Sequence, residues 1–340
     1  MTDNSSVAHA PSSVIWPSAF HVAVIMVGFR NAADIELAVG CLRRIDYRHF
    51  SVHICENGGR DAFVAVARVL GAASIAAGAN DVAVTLDSVN GSFDATVHLA
   101  PDNLGYAGGV NYCLARLAHW SAIWILNPDT QADPGALQAL VDRLVAGGYG
   151  VVGSRLVNPM TNQVQLYGGR WRPWMARGLN IGMGADPAIV PDSAAVEREM
   201  DYVNGASMLV SRSFIDSVGL MNEDYFLYCE EIDWCLARGE HRIGYAHDSL
   251  VHHAHGSTIG SSKNKRLRSR LSVYLDERNK LLLTRRRIAS IYPIVLVITL
   301  ILTMQYLWHG AFRNFGHALS GWWAGLRGEI GKPNWMRNIP

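Results

Sequence analysis

The sequence predicts an α/β fold: a mostly parallel central sheet followed by a helical, membrane-associating C-terminal region. Short apolar runs alternate with helix-spaced segments up to about residue 150, which implies strands joined by right-handed helical crossovers. Turn residues punctuate the carboxyl ends of those runs, where ligands bind in open parallel sheets. From Ile288 to Phe312 there is no Asp, Glu, Lys or Arg.

Each element has its own signal. "HVAVIMVG" (21–28) is a continuous apolar run ending in Gly, suited to a strand buried on both faces. "DIELAVGCLRRI" has helical spacing, and "FSVHICENGG" (50–59) reads as a second strand entering a Gly-rich turn. "DAFVAVARVL" is helical and "DATVHLA" (94–100) a third strand. "AGGVNYCLARLAHW" reads as a helix and "SAIWILN" as a fourth strand, before a helix in "PGALQALVDRLVA" with Pro near its first turn. Further on, "GGRWRPWMARGLNIGMGADP" reads as a long functional loop, "GASMLVS" as a strand and "EEIDWCLARGE" as a helix. "RIGYAHDSLVHHAHGST" reads as two short strands and a polar loop. Ile288 to Trp308, as a helix rising ~1.5 Å per residue, reaches about 30 Å, a bilayer core. Pro293, Thr299, Thr303 and Gln305 weaken a true span and favour an interfacial or core-packed helix. The expected organisation is a flexible tail over 1–20, a catalytic unit over 21–260 (donor half 21–150, acceptor half 151–260) and a basic, apolar helical region over 261–340.

Composition narrows the function. A chain of 340 residues with 49% hydrophobic and 17% charged residues can bury a sizeable core, and a net charge of +1 gives no case for nucleic acid as partner. Five cysteines without a CxxC pair argue for reduced thiols in a cytosolic compartment and against a disulfide scaffold or a zinc cluster. The N-terminus lacks the basic and apolar regions of a signal peptide. Basic residues concentrate between Lys263 and Arg287, facing only Asp276 and Glu277 there.

Four constellations carry candidate chemistry. Asp129, in "LNPDT" after the fourth strand, is either a turn residue or a carboxylate holding a divalent cation against a charged ligand. In "YFLYCEEIDWCLAR", Glu230, Glu231 and Asp233 crowd three acids into four residues. They form either a solvated first helical turn or a pocket in which crowding raises a general base. "VHHAHGST" offers histidine nitrogens without a zinc signature. In "DNLGYAGGVN", Gly105, Gly108 and Gly109 permit close backbone approach to a ligand.

In this order the motifs, with "VGFRN", "ICENGG", "NGASMLVSRSFIDSVGLMNEDYFLYCEEIDWCLAR" and "YLDERN", resemble family 2 glycosyltransferases, particularly the bacterial rhamnosyltransferase-like branch. The resemblance runs from about residue 22 to 287 and implies a GT-A fold and inverting, metal-dependent sugar transfer. It implies donor contacts at Asn31, Glu56, Asn57, Asp102, Asn103, Gly108, Asn127 and Arg278. It implies Mg2+ or Mn2+ on Asp129 and His253, with His252 one register away. Glu231 would be the acceptor-activating base, with Glu230 and Asp233 beside it and Gly205 and Ala206 beneath the acceptor. Expected partners are a nucleotide-sugar donor, foremost dTDP-rhamnose and otherwise a UDP-hexose or UDP-galactofuranose, and a lipid-linked or polysaccharide acceptor. The expected place is the cytoplasmic side of the inner membrane. Two other classes remain: a nucleotide-dependent oxidoreductase, opposed by the lack of GxGxxG after the first strand, and a non-catalytic membrane-bound partner.

Overall fold

The computed structural model describes residues 20–254 and 264–336. The expected tail before Phe20, the 255–258 end of the histidine motif and Lys263 lie outside the described residues.

Strand β1 (Val22–Gly28) shows why the first apolar run lacks alternation. Val22, Val24 and Met26 face one hydrophobic core with helices α1 (Ala32–Leu42) and α2 (Arg60–Val69), while Ala23 and Ile25 face a second core on the other side of the sheet. β2 (Phe50–Glu56) pairs parallel with β1. The third expected strand is one arm of a hairpin, β3 (Asp81–Ser88) and β4 (Gly91–Leu99). β3 escapes the sequence reading because it is a polar edge strand, exposed at Asp81, Ala83, Thr85 and Asp87.

α3 (Gly105–Leu114) leads into β5 (Ala122–Leu126), which is buried throughout, and then into the three-residue β6 (Thr130–Ala132) and α4 (Ala136–Gly147). On β5, Trp124 is fully buried and donates its indole N–H to Ser207 Oγ at 2.9 Å, so a large apolar side chain is covered without stranding its donor. β7 (Tyr149–Asn158) carries β8 (Gln163–Leu166) at its end. The expected loop beyond is instead a two-stranded hairpin, β9 (Gly168–Arg172) and β10 (Arg177–Ile181). Its buried Trp171 alternates with exposed Arg170 and Arg172, a strand rhythm that the density of Gly and Arg obscures.

α5 (Ser193–Glu199), β11 (Ser207–Ser211), α6 (Arg212–Val218) and α7 (Glu230–Leu236) precede β12 (Arg242–His253). β12 is one strand rather than two, with a bulge between Ala246 and Leu250 where Asp248 interrupts the apolar pattern. The main sheet runs β3-β4-β2-β1-β5-β11-β7-β12-β6, with β8 on β7. β4, β2, β1, β5, β7 and β12 share one direction, so the sheet is mostly parallel and its carboxyl edge gathers several loops.

α8 (Arg270–Arg287) is capped by the Ser269 hydroxyl, which accepts from Ser272 N–H, and it buries Leu281 and Leu283 in the core beneath Ile123 and Ile125. The expected apolar helix is interrupted at Met304, giving α9 (Tyr292–Thr303) and α10 (Gln305–Trp308). α11 (Phe312–Arg327) then crosses α8 closely. A Cβ at Gly321 would lie 2.2 Å from Tyr274 O, and one at Gly325 2.8 Å from Arg278 O. These glycines are therefore the contact surface. Gly321→Ala should cost about 1–3 kcal/mol by overpacking. The control Gly316→Ala, where nothing lies within 4 Å, should gain about 1 kcal/mol from helix propensity. Equal melting temperatures for the two variants would contradict this packing.

Candidate active site

Glu56 closes β2 with a fully buried carboxyl. Its Oε1 accepts from Arg30 N–H at 3.0 Å and Gly58 N–H at 2.7 Å, whereas Oε2 is buried without a hydrogen-bond partner. Burial pushes this carboxyl above the usual range. Gly28 gives Oε2 its space, since a Cβ there would lie 2.6 Å away. Asn31 lies beside them and accepts Phe29 N–H at 3.0 Å. Asn57 ties this edge to the next loop, donating to Gly105 O at 3.0 Å and accepting Leu104 N–H at 3.2 Å. Asn103 Oδ1 accepts Gly105 N–H at 3.0 Å, and the exposed Asp102 accepts Asn103 N–H at 2.7 Å. Five of the expected donor-side residues thus line one edge.

Asp129 sits on a turn that follows β5. Asn127 N–H donates to Ala206 O at 3.0 Å, and Asn127 O accepts from Thr130 N–H at 3.2 Å and its hydroxyl at 2.6 Å. The turn feeds β6, whose pairing sets Thr130 opposite His253. Register therefore brings His253 Nε2 to 3.4 Å from Asp129 Oδ1. The next residue back points away, so His252 Nε2 lies 3.6 Å from Asp133 instead. Gln165, which the sequence reading passed over, fixes the His253 ring. Its Nε2 donates to His253 O at 2.6 Å, which leaves its Oε1, 3.0 Å from Nδ1, to accept that N–H. Nε2 is then the ring nitrogen that faces Asp129, the orientation of a ligating histidine. No group of three His, Cys, Asp or Glu suited to a metal occurs among the described residues. Asp129 and His253 could hold a divalent cation, the hard carboxylate oxygen suiting Mg2+ or Mn2+ and the imidazole nitrogen favouring Mn2+ of the two.

The acidic cluster hangs from a strained loop. Phe226, Tyr228 and Cys229 have φ of 64°, 73° and 75°, uncommon for residues with side chains. Buried Asn279 holds that shape: its Nδ2 reaches the carbonyls of Tyr225, Leu227 and Tyr228 at 2.9, 2.7 and 2.9 Å. Arg278 adds a bond to Tyr225 O at 2.8 Å. Arg278 is buried, and its guanidinium is engaged by the carbonyls of Tyr225 and Gly331. Gly108 packs closely on its own chain: a Cβ on it would meet Leu104 Cβ at 2.8 Å.

The three acids differ in environment. Asp233 is buried against Arg287. Burial and the Glu231 charge push Glu230 up to about 8, and burial also raises the half-buried Glu231. The two carboxyls therefore titrate as one coupled pair, whose last proton leaves above the usual carboxylate range. Tyr106 joins the halves. Its phenol, raised first by burial and then by the charges of Glu231, Glu230 and Asp129, donates to Gly205 O at 2.6 Å. Tyr106 lies within a motif the sequence displayed, yet nothing local marked it as the centre of the site.

Residues 23–203 match Glycosyl transferase family 2. The chain is 25% identical over 244 residues to the low-salt glycan biosynthesis hexosyltransferase Agl10 of Haloferax volcanii, covering 69% of this chain and 76% of the relative. It is 30% identical over 177 residues to the N-acetylglucosaminyl-diphospho-decaprenol L-rhamnosyltransferase of Mycobacterium tuberculosis, covering 42% of this chain and 57% of that one. The fold is similar to a mannosyltransferase of Pyrobaculum calidifontis solved with GDP-Man and Mn2+. That match has a TM-score of 0.50 at 14% identity and covers 90% of this chain and 87% of the other.

Glu230 sets a pH signature. Between 4.5, its ordinary value, and about 8, the native state holds a proton that the unfolded chain has released. The stability that Glu230 contributes therefore falls as pH rises through that window. Glu230→Gln removes this dependence, so its melting temperature should gain on the wild type steadily from about pH 5 to 8. Parallel melting curves across that range would refute the raised carboxyl.

Proposed function

The chain belongs to Glycosyl transferase family 2, and from that premise we propose that it transfers L-rhamnose, with inversion, from dTDP-rhamnose to a lipid-linked oligosaccharide of a bacterial surface polysaccharide. The observation that carries this reading is the facing pair Asp129–His253, joined through Tyr106 to a carboxylate pair that shares a proton. The mycobacterial relative, named as an L-rhamnosyltransferase acting on a lipid diphosphate, supports the sugar and the acceptor class. The hexosyltransferase relative matches more of the chain and supports transfer of a hexose, with a UDP-hexose donor as the second reading.

Each residue has a role in the proposed reaction. The partnerless Glu56 Oε2 suits a polar group of a pyrimidine base, with Asp102 and Asn103 at the sugar and phosphate side. Asp129 and His253 would hold Mg2+ or Mn2+, which when bound supplies positive charge opposite the diphosphate. Glu231 accepts the acceptor hydroxyl's proton as the new C–O bond forms and the bond to the diphosphate oxygen breaks. Arg287 neutralises Asp233 and Glu230 is the fully buried member of the coupled pair, which leaves the more accessible Glu231 as the carboxylate assigned to the acceptor proton.

Two substitutions separate metal from base. Asp129→Asn should lose Mn2+-dependent dTDP binding and reduce transfer by orders of magnitude. Glu231→Gln should keep dTDP binding and lose ~10²–10⁴-fold in rate. Full Mn2+-dependent turnover in Asp129→Asn, or equal loss of dTDP affinity in both variants, would overturn the assignment.

We also propose that the enzyme sits on the cytoplasmic membrane surface. Residues 289–308 are long and apolar enough to cross a membrane by length and composition, with mean hydropathy 1.9 and 22% of the window buried. Ile294, Val297, Ile301, Met304 and Trp308 form an exposed stripe at helical spacing, while Val295, Thr299 and Thr303 pack inward. Trp322 clamps the inner face, donating to Leu296 O and Thr299 Oγ1 at 3.1 Å, which favours a helix lying in the interface over a span. The basic stretch contributes less than its composition suggests, because Arg268, Lys280, Arg286 and Arg287 pair with Asp276, Glu277, Asp224 and Asp233. Val297→Asp with Ile301→Asp should abolish co-sedimentation with anionic vesicles without lowering the melting temperature, and carbonate should release the wild type from membranes. Undiminished vesicle binding by the double variant would rule out the stripe, and resistance to carbonate would rule out the interfacial geometry.

A further inference from the structure

Beyond α11 the chain doubles back across the catalytic unit. Gly328 turns it with φ of 73°. Gly331 N–H donates to Asp224 O at 2.6 Å, and Gly331 O accepts Arg278 Nη1 at 2.7 Å. Trp335 is held between the Arg270 guanidinium, 4.1 Å from the ring centroid, and the edge of Tyr274. Lys332 lies between these anchors and extends its ammonium to the Asp102 carboxylate, 2.9 Å from Oδ1 and 3.2 Å from Oδ2. The pair is lopsided: the lysine side chain is 14% exposed and the aspartate 68%.

We propose that Lys332 is a donor-binding residue, its ammonium held by Asp102 at the rim of the donor edge to meet the diphosphate of the nucleotide. This rests on the glycosyltransferase reading above. The strap has main-chain and aromatic anchors on both sides of Lys332, so it does not need an ion pair to an exposed carboxylate, which would stabilise it little. Charge supplies the motive. Glu56, Asp102 and Asp129 put three acidic side chains along the donor side. A divalent cation balances a diphosphate but not those carboxylates as well. At the Glu56 end, Arg30 already has its Nε on Gly58 O at 3.2 Å. An ammonium offers three donors, so with Asp102 as partner it keeps donor capacity for phosphate oxygen. Lys332 also holds Asp102 below the usual carboxylate range, so the ion pair persists across neutral pH.

Calorimetric titration of the full chain tests this, with dTDP and UDP in Mn2+ as probes and thymidine and uridine as phosphate-free probes. Lys332→Gln should weaken diphosphate binding about tenfold, the scale of one charge-assisted hydrogen bond. Thymidine and uridine affinity and the melting temperature should stay unchanged, and Lys332→Arg should keep most of the diphosphate affinity. Equal diphosphate affinity in wild type and Lys332→Gln would overturn the inference. So would a loss shared by the phosphate-free probes or accompanied by a lower melting temperature, since either outcome makes Lys332 a structural clamp. A wild type that binds neither diphosphate would instead remove the donor reading itself.

Discussion

The geometry of the acidic cluster depends on one buried side-chain amide. Asn279 reaches three carbonyls of the Tyr225–Tyr228 loop, and through them it imposes the left-handed turns that launch α7. Left to itself that backbone would relax, because several residues with side chains at positive φ each cost free energy that only fixed partners offset. The helix bearing Asn279 packs under the sheet and is crossed by α11. The acidic cluster therefore owes its position to a part of the chain about fifty residues later, and catalytic geometry and C-terminal packing form one cooperative unit.

Within that frame, identical side chains become chemically distinct through their surroundings. Asp233 has a guanidinium beside it, Glu230 has only burial and a like charge, and Glu231 keeps partial access. Asp129 has an imidazole whose ring is locked from behind by Gln165. Environment, rather than residue type, thus sets these carboxyl groups apart, and the roles proposed for them follow those differences.

The sequence displays what is periodic and hides what is remote. Buried strands such as β1 and β5 are legible because both faces lie in hydrophobic cores, so their apolar runs are continuous. β3 and the β9–β10 hairpin are not, because exposed polar or charged residues on one face mask the alternation. The motif residues at strand ends could be named from their order along the chain. Their partners could not: Gln165 reaches His253 across 88 positions and Lys332 reaches Asp102 across 230. No local pattern encodes such contacts. Arg278, a cation in a matching motif, bonds the main-chain carbonyls of Tyr225 and Gly331, contacts equally invisible in the sequence.

The outward apolar stripe of α9 and α10 is fastened to α8, and α8 in turn fixes the loop carrying Glu231. On the proposed membrane surface this rigid linkage acts as a ruler. The bilayer plane sets one height for the catalytic carboxylate, and an acceptor anchored by its lipid must span that height with its head group. Glycans too short to rise that far, or so long that their ends sweep above it, would meet the base less often. Chain length of the acceptor would then be measured by the enzyme's posture, independently of any pocket that recognises its sugars.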